Sequence, residues 1–151
     1  MVALIIALFL VQASSVAPKF EDYAAGDVFR GKPVSPILNT PAARMFRTEL
    51  RRQAASGPNF AGHFTLARWG CGAGCVSTAI IDSRSGRVWF PDLRVEDAVV
   101  QGDIVDHSTD FQINSELLVA TGAVNKLGAG TAYFRWHQGV LSLIRFDKYR
   151  K

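Results

Sequence analysis

The sequence predicts an α+β protein in which an antiparallel sheet of five or six strands packs against one N-terminal amphipathic helix. Two observations support this prediction. Apolar residues recur at helical spacing in one early segment, and the chain after Pro58 is rich in β-branched and aromatic residues that alternate with polar ones. At 151 residues, of which 48% are hydrophobic and 20% charged, the chain has the length and composition of a single globular domain.

The first residues are typical of a secretory signal peptide. Residues 1–12 carry no charge, and the apolar run from Val2 to Val11 is, at about ten residues, too short to span a bilayer. Small residues follow, and we predict cleavage after Ala13, with Ala17 as the other candidate position. A buried first strand or helix is the alternative interpretation of this run. With residues 1–13 as a signal peptide, the predicted location is periplasmic or secreted.

Residues 14–39 are predicted to form an extended arm, because proline and glycine interrupt any regular pattern there. Residues 40–151 are predicted to form the single α+β domain. The domain begins with Thr40 as a helix N-cap and Pro41 at the first helical position. The apolar spacing that follows predicts one amphipathic helix over residues 41–55. Its apolar positions are Ala42, Met45, Phe46, Leu50 and Ala54.

The polar face of this helix carries four arginines and one glutamate. Cations near a helix C-terminus interact favourably with the helix dipole, so a plain solvated face explains them. A surface for an acidic partner is the alternative, and we retain three of the arginines as candidate binding residues. These are Arg44, Arg47 and Arg51.

The chain after Pro58 contains the predicted strands. Hairpin connections are predicted over residues 83–86 and at Gln138-Gly139, where the flanking residues alternate between apolar and polar. Residues 91–111 are rich in acids and are predicted to be a loop with at most a short strand over residues 98–100. The acids do not have the spacing of an EF-hand, and we predict no metal site. The remaining predicted strands cover residues 60–69, 75–82, 87–90, 115–121, 131–137 and 140–146.

The charge balance indicates a mildly basic protein, with a net charge of +4 and a pI of about 9.4. A nucleic-acid-binding domain concentrates its basic residues with aromatics on one face, and export separates a protein from nucleic acid, so we predict no nucleic-acid partner. An acidic polymer or an acidic protein is the expected class of partner. No later stretch approaches the roughly 18 apolar residues of a membrane span, so we predict none after the signal peptide.

The most distinctive segment contains Phe60-Ala61-Gly62-His63 and then Trp69-Gly70-Cys71, followed by a second cysteine at position 75. It resembles a family of uncharacterised exported bacterial proteins that share a Phe-Ala-Gly-His strand and a Trp-Gly-Cys-x-x-x-Cys loop. The resemblance covers about two thirds of the predicted mature chain. It implies an exported protein of this fold, and it implies no particular activity.

Cys71 and Cys75 predict a disulfide, because an even number of cysteines in an exported protein is typical of an oxidised pair. Gly70, Gly72 and Gly74 make the tight closure feasible, since such a short ring forces backbone angles that glycine adopts at low cost. The expected stabilisation is about 2 kcal/mol. A redox-active pair and a metal site are the alternatives. The spacing differs from Cys-x-x-Cys by one residue, and further metal ligands are not evident nearby.

His63 is the histidine of the distinctive segment, and a structural hydrogen bond within a strand is its plainest role. The sequence as a whole predicts a non-enzymatic binding protein, of inhibitor or immunity type, whose partner is another envelope or extracellular protein. Asn59, His63 and Trp69 are the candidate binding residues in this segment. The alternatives are a small envelope hydrolase that uses His63 with Asn59 or Asp82 and a ligand carrier with an apolar pocket between helix and sheet. No catalytic residue, cofactor or metal is predicted.

Overall fold

The computed structural model describes residues 16–150. The predicted signal peptide, residues 1–13, lies outside the described residues. Within residues 16–150 the chain forms a 3₁₀ helix (Phe20–Tyr23), two α-helices and ten strands. The helices are α1 (Pro41–Met45) and α2 (Arg47–Ala54). The strands are β1 (Phe64–Gly72), β2 (Cys75–Asp82), β3 (Val88–Trp89), β4 (Arg94–Glu96), β5 (Ala98–Val100), β6 (Asp103–Val105), β7 (Ser108–Phe111), β8 (Leu117–Val124), β9 (Gly128–His137) and β10 (Val140–Lys148).

Every strand pair in this part of the chain is antiparallel. One sheet runs in the order β1-β2-β4-β8-β9-β10, with β3 beside β2 and β7 beside β8, and β5 and β6 form a separate two-stranded sheet. A mostly antiparallel structure with few helices agrees with the predicted α+β class. The predicted number of five or six strands is wrong, because it omits several short ones.

The omitted strands lie in the acidic region, residues 91–111, which was predicted to be a loop with at most one short strand. It contains β4, β5, β6 and β7. The turn between β5 and β6 is Gln101-Gly102, with φ of 54° and 92°, the positive pair of angles that a tight two-residue hairpin requires. Val95 is fully buried between two charged neighbours in β4. Three-residue strands are too short to show this alternation as a clear sequence pattern.

The sheet buries residues on both faces, because successive side chains of a strand point to opposite sides. Leu66 of β1 contributes to a cluster formed with β2, β4, β8 and β9, whereas its neighbour Ala67 contributes to a second cluster under the helices. Leu50 and Ala54 of α2 pack in the second cluster with Ala67 and Ile81.

Two short helices stand where one continuous helix over residues 41–55 was expected. The Thr40 hydroxyl accepts a hydrogen bond from Ala43 N at 3.1 Å and caps α1. At Phe46, φ is −98° and ψ is 19°, which ends α1 before α2 begins. Phe46 packs against Trp69, with ring centroids 4.7 Å apart, while Met45, predicted to be on the apolar face, is 72% exposed.

Residues 60–63 form a turn that precedes β1, where the sequence predicted the first part of a strand. Ala61 and Gly62 have φ of 45° and 83°, and the backbone N–H groups of Asn59 and Phe60 both donate to Phe64 O at 2.9 Å. Positive φ at two successive residues is incompatible with a continuing strand, so β1 begins at Phe64.

The arm crosses the surface of the domain and is held by backbone hydrogen bonds. Phe29 N donates to Gly62 O at 2.9 Å, and Ile37 N donates to Gly86 O at 2.7 Å. Gly86 leaves no room for a side chain, because a Cβ there would collide with Ser35 O. No helix among the described residues is long and apolar enough to cross a membrane.

Candidate functional site

The β1–β2 hairpin ends in an exposed loop closed by the Cys71–Cys75 disulfide, with Cα atoms 5.3 Å apart. The predicted disulfide is confirmed. Pairing shifts from Gly70↔Val76 to Gly72↔Cys75, so Cys71 is an extra residue in β1, a β-bulge. We call residues Gly70–Cys75 the hairpin tip. Residues 70–73 are exposed, while Cys75 is 6% exposed.

Asp97, between β4 and β5, braces the hairpin tip from one side. Its backbone N–H donates to Gly74 O at 2.9 Å, and Gly74, at φ +63°, lies so close to the Asp97 carboxylate that no Cβ would fit. The disulfide and this contact hold both sides of the loop. The hairpin tip is therefore a fixed projection.

His107 in turn fixes Asp97. Its backbone N lies 3.0 Å and its ring Nδ1 2.6 Å from Asp97 Oδ1. These two hydrogen bonds lower the pKa of the Asp97 carboxyl below its ordinary range. Because an ionised carboxylate only accepts hydrogen bonds, Nδ1 is assigned the proton and Nε2 is left as the acceptor when the ring is neutral. Nε2 has no hydrogen-bond partner among the described residues.

A cleft of about 380 Å³ opens beside the hairpin tip, between the end of β1 and the start of β7. The Arg68 guanidinium bridges the two strands, since Nη1 donates to Thr109 Oγ1 at 2.6 Å and to Thr109 O at 3.2 Å. We call this space the tip cleft. It is lined by Gln53, Arg68, Trp69, Gly70, Val76, His107, Ser108 and Thr109.

The edge of β1 that faces away from β2 is occupied by two side-chain amides. Gln53 donates to Arg68 O at 2.7 Å and accepts from Arg68 N at 2.9 Å. Asn59 accepts from Leu66 N at 2.7 Å and lies 3.4 Å from Leu66 O. Each amide thus supplies one donor and one acceptor, as a neighbouring strand would. The side chain of Asn59, which was predicted to be a binding or hydrolytic residue, is hydrogen-bonded to the backbone of Leu66.

Arg68 carries the charge of the tip cleft. Its guanidinium lies 4.9 Å from the centre of the Phe111 ring and makes no ion pair with a carboxylate among residues 16–150. None of the residues that line the cleft is acidic. The cleft therefore presents an exposed cation that no lining residue pairs, while the carboxylates of Asp97 and Glu49 are hydrogen-bonded to the lining residues His107 and Gln53.

Trp69, a predicted binding residue, has only part of its surface available. Its ring packs against Phe46 at 4.7 Å and against Phe90 at 6.4 Å between centroids. It belongs to the margin of the second core cluster and contributes one wall of the tip cleft.

His63 and Asp82 meet at the opposite end of β1, roughly 25 Å along the strand from the hairpin tip at 3.3 Å per residue. His63 Nε2 lies 3.8 Å from Asp82 Oδ1. The Asp82 carboxylate accepts hydrogen bonds from Arg84 N at 2.9 Å and Ser85 Oγ at 2.7 Å, which fix the β2–β3 turn. The serine thus contacts the acid and not the imidazole. Among the described residues this group lacks the nucleophile–base contact of a hydrolase.

The environment of His63 favours its neutral form. Partial burial lowers the pKa of the imidazole, the Arg84 guanidinium lowers it further, and the Asp82 carboxylate partly opposes both effects. His63 also stacks on Phe64, with ring centroids 4.1 Å apart. These contacts give His63 a packing role in the turn before β1, where the sequence predicted a hydrogen bond within a strand, and no described residue forms a hydrogen bond to its ring.

The three candidate arginines of the predicted polar helix face are exposed in the structure. Arg44 Nη1 lies 3.4 Å from Leu38 O, and Arg47 Nη1 donates to Arg44 O at 3.2 Å. None of Arg44, Arg47 and Arg51 forms an ion pair within the described part of the chain. Both interpretations of this face, a solvated surface and an acidic-partner surface, stay open.

The chain matches no model of a known protein family, no curated protein and no solved structure.

Proposed function

We propose that this protein is an exported, non-enzymatic binding protein, periplasmic or secreted, whose partner is another envelope or extracellular protein. The observation that carries the proposal is the hairpin tip, which is exposed over residues 70–73 and fixed by a disulfide and by Asp97. A rigid projecting loop loses little conformational entropy on binding, so it suits recognition of a partner surface. An inhibitor or an immunity-type protein would act in this way.

Two features support export. The first thirteen residues have the pattern of a signal peptide, and the Cys71–Cys75 disulfide belongs to an oxidising compartment. We also propose that the protein is a member of the exported bacterial family that its Phe-Ala-Gly-His and Trp-Gly-Cys-x-x-x-Cys motifs resemble.

The contacts of the polar residues favour binding over hydrolysis. The Asn59 amide is engaged by Leu66, and the Asp82 carboxylate by the turn that follows it. A hydrolase based on His63 would need one of these groups to be available to the imidazole or to a substrate.

Site-specific photocrosslinking tests the proposed binding surface. A photoreactive residue placed at Ala73, in the hairpin tip, is expected to capture one protein from the cell envelope. The matched control is Ser142, which is also exposed but lies on β10. If neither position captures a protein, or both capture the same set, the hairpin tip is not the binding surface.

The arginine face of the helices is the competing surface and has its own test. The triple variant Arg44→Gln/Arg47→Gln/Arg51→Gln removes three exposed charges and keeps a polar side chain with part of the aliphatic stem at each position. We expect it to retain most of its affinity for the protein captured at Ala73. If this variant loses binding and variants of the hairpin tip do not, the binding site lies on the helices.

Export is tested by fractionation of cells that express a C-terminally tagged chain. We expect a shortened form outside the cytoplasm whose N-terminal residue is Ser14, because cleavage is predicted after Ala13. Full-length protein retained in the cytoplasm would contradict the proposal. This experiment does not depend on identifying the partner.

A further inference from the structure

We propose that the tip cleft binds an extended, acidic peptide segment of the partner, which adds as a short strand at the open end of β1. The inference rests on the proposed binding function and names the class of ligand. Two observations support it. Gly70 of β1 and Thr109 of β7 have unpaired backbone groups on strand edges that face each other, and Arg68, which joins these strands, carries a positive charge.

The outward edge of β1 is occupied from within the chain up to Arg68 and is open beyond it. The outward-facing residues are every second one in an antiparallel strand. Phe64 is bonded by backbone groups of the preceding turn, Leu66 by Asn59 and Arg68 by Gln53. Gly70 is the next residue whose backbone N–H and C=O face outward. Among the described residues, no group outside the sheet forms a hydrogen bond to either.

The facing wall of the tip cleft is also a strand edge. β7 pairs with β8 on one side, and Thr109 O faces the other side, where it accepts the Arg68 hydrogen bond. In an antiparallel strand the N–H of a residue points to the same side as its C=O. Thr109 N–H therefore faces the tip cleft too, without a partner among the described residues. An extended peptide in the cleft would meet donors and acceptors on both sides.

Charge selects an acidic peptide. The Arg68 guanidinium uses Nη1 for Thr109 and has its other donors available, and no acidic residue lines the cleft. Guanidinium and carboxylate form short, charge-assisted hydrogen bonds, often in pairs. An Asp or Glu side chain of the peptide would therefore neutralise the cleft. Its backbone would add to Gly70 in the manner of β-strand addition.

Gly70 allows the backbone contribution to be isolated. A Cβ at this position would have open space around it, so Gly70→Ala is sterically tolerated and keeps the N–H. Gly70→Pro removes the N–H, and proline is accepted in edge strands where that group faces outward. The two variants thus differ in one hydrogen-bond donor.

The experiment selects randomised octapeptides on the disulfide-bonded protein and then measures the binding of the most enriched one as a fluorescein-labelled synthetic peptide. We expect enrichment of Asp and Glu. Gly70→Pro is expected to weaken binding about fivefold to tenfold, and Arg68→Gln about tenfold. Gly70→Ala should weaken it much less than Gly70→Pro. Arg94→Gln, which removes an exposed arginine of β4, serves as the charge control and should bind like the parent.

A peptide N-methylated at alternate residues gives an independent measurement, because it cannot donate the hydrogen bonds of strand addition. It also keeps the test decisive if Gly70→Pro fails to fold. The proposal is overturned if no peptide is enriched, or if N-methylation and Gly70→Pro both leave affinity unchanged. Neither result would affect a crosslink at Ala73, so failure of this inference is distinguishable from failure of the binding function.

Discussion

Two buried threonines on adjacent strands differ in how their hydroxyl groups are satisfied. Thr65 Oγ1 donates to Gly57 O at 2.8 Å and lies 3.3 Å from Ser83 Oγ. Thr78 Oγ1 is buried and has no hydrogen-bond partner in the described chain. Both side chains are at most 4% exposed. A buried hydroxyl stabilises the fold only when it is hydrogen-bonded.

Substitution by valine should therefore have opposite effects at these two positions. We expect Thr78→Val to raise the free energy of unfolding by about 0.5–1 kcal/mol and Thr65→Val to lower it by about 1–2 kcal/mol. Urea unfolding followed by circular dichroism measures both. Equal changes in the two variants would show that Thr78 has a partner.

His63 gives a second prediction, on pH. Its pKa in the folded protein is lowered by burial, then by Arg84, against the opposing effect of Asp82. The unfolded chain therefore binds more protons below an ordinary histidine pKa of about 6.5, and stability must fall as the pH falls through that range. The contribution of His63 to the free energy of unfolding is fully present above the ordinary histidine pKa of about 6.5. It is lost as the pH falls from there towards the lowered pKa of His63 in the folded protein.

The test compares His63→Gln with the parent by urea unfolding from about pH 7.5 to about pH 5. We expect the variant to lose less stability over this interval, because glutamine does not titrate. His137→Gln is the control, since His137 is an exposed histidine beside Glu116. If His63→Gln and the parent have parallel profiles, burial of His63 is not the cause of the pH dependence.

At this scale the sequence predicts some site residues and misses others. The Cys71–Cys75 disulfide could be predicted, because export and an even number of cysteines favour a bonded pair. The hydrogen bonds from Gln53 to Arg68 and from His107 to Asp97 could not be predicted, because they join residues that are 15 and 10 positions apart in the chain. Such contacts depend on how strands are arranged in space, and no local periodicity encodes them.

Among the elements, the arm shows how glycine permits a close approach of two backbones. Gly86 in the β2–β3 turn has φ of +76° and faces Ser35 O without space for a side chain. Gly102 in the β5–β6 turn has φ of +92° and nothing within 4 Å of the corresponding Cβ position. Both would be strained by alanine, but only Gly86→Ala would also displace the arm.

We therefore expect Gly102→Ala to lower the free energy of unfolding by about 1–2 kcal/mol, the cost of a left-handed backbone for alanine, and Gly86→Ala to lower it by more. Amide hydrogen exchange at Ile37, whose N–H donates to Gly86 O, reports whether the arm has moved. Equal stability losses with unchanged exchange at Ile37 would mean that the arm is not held by this contact.

The hairpin at Gln138-Gly139 and the strands of the acidic region explain what can be predicted of the elements. Gln138 and Gly139 have φ of 50° and 80°, and long alternating strands flank them, so the predicted hairpin is confirmed. Residues 91–111 contain four strands of three or four residues: β4 pairs with β2 and β8, β7 pairs with β8, and β5 and β6 pair with each other. Their formation depends on those partners more than on local propensity.

For the molecule as a whole, the disulfide should contribute stability without deciding the fold. Six regular pairs from Phe64↔Asp82 to Trp69↔Ser77 hold the β1–β2 hairpin, and Asp97 holds the hairpin tip. The double variant Cys71→Ser/Cys75→Ser should unfold at a lower urea concentration, with a loss of about 2 kcal/mol, and keep its circular dichroism spectrum.

Alkylation under non-reducing conditions, followed by mass spectrometry, should find no free thiol in the parent protein. Free thiols in protein recovered from the envelope would contradict the structural role of the pair. A double variant that cannot fold would contradict the expectation that the disulfide adds stability without deciding the fold, because the hairpin would then depend on the bond.

The carboxamides along β1 have a consequence for self-association. A long unpaired strand edge is a template on which other copies can add, and extended edges promote aggregation and amyloid growth. The side chains of Gln53 and Asn59 form hydrogen bonds to the outward-facing backbone groups of Arg68 and Leu66. A second copy of the chain could therefore pair with β1 only over the short stretch at Gly70. Conversion of either amide to a carboxylate by deamidation would remove a donor. It would also expose a backbone carbonyl, so slow chemical ageing of these two residues is expected to increase the tendency of the protein to aggregate.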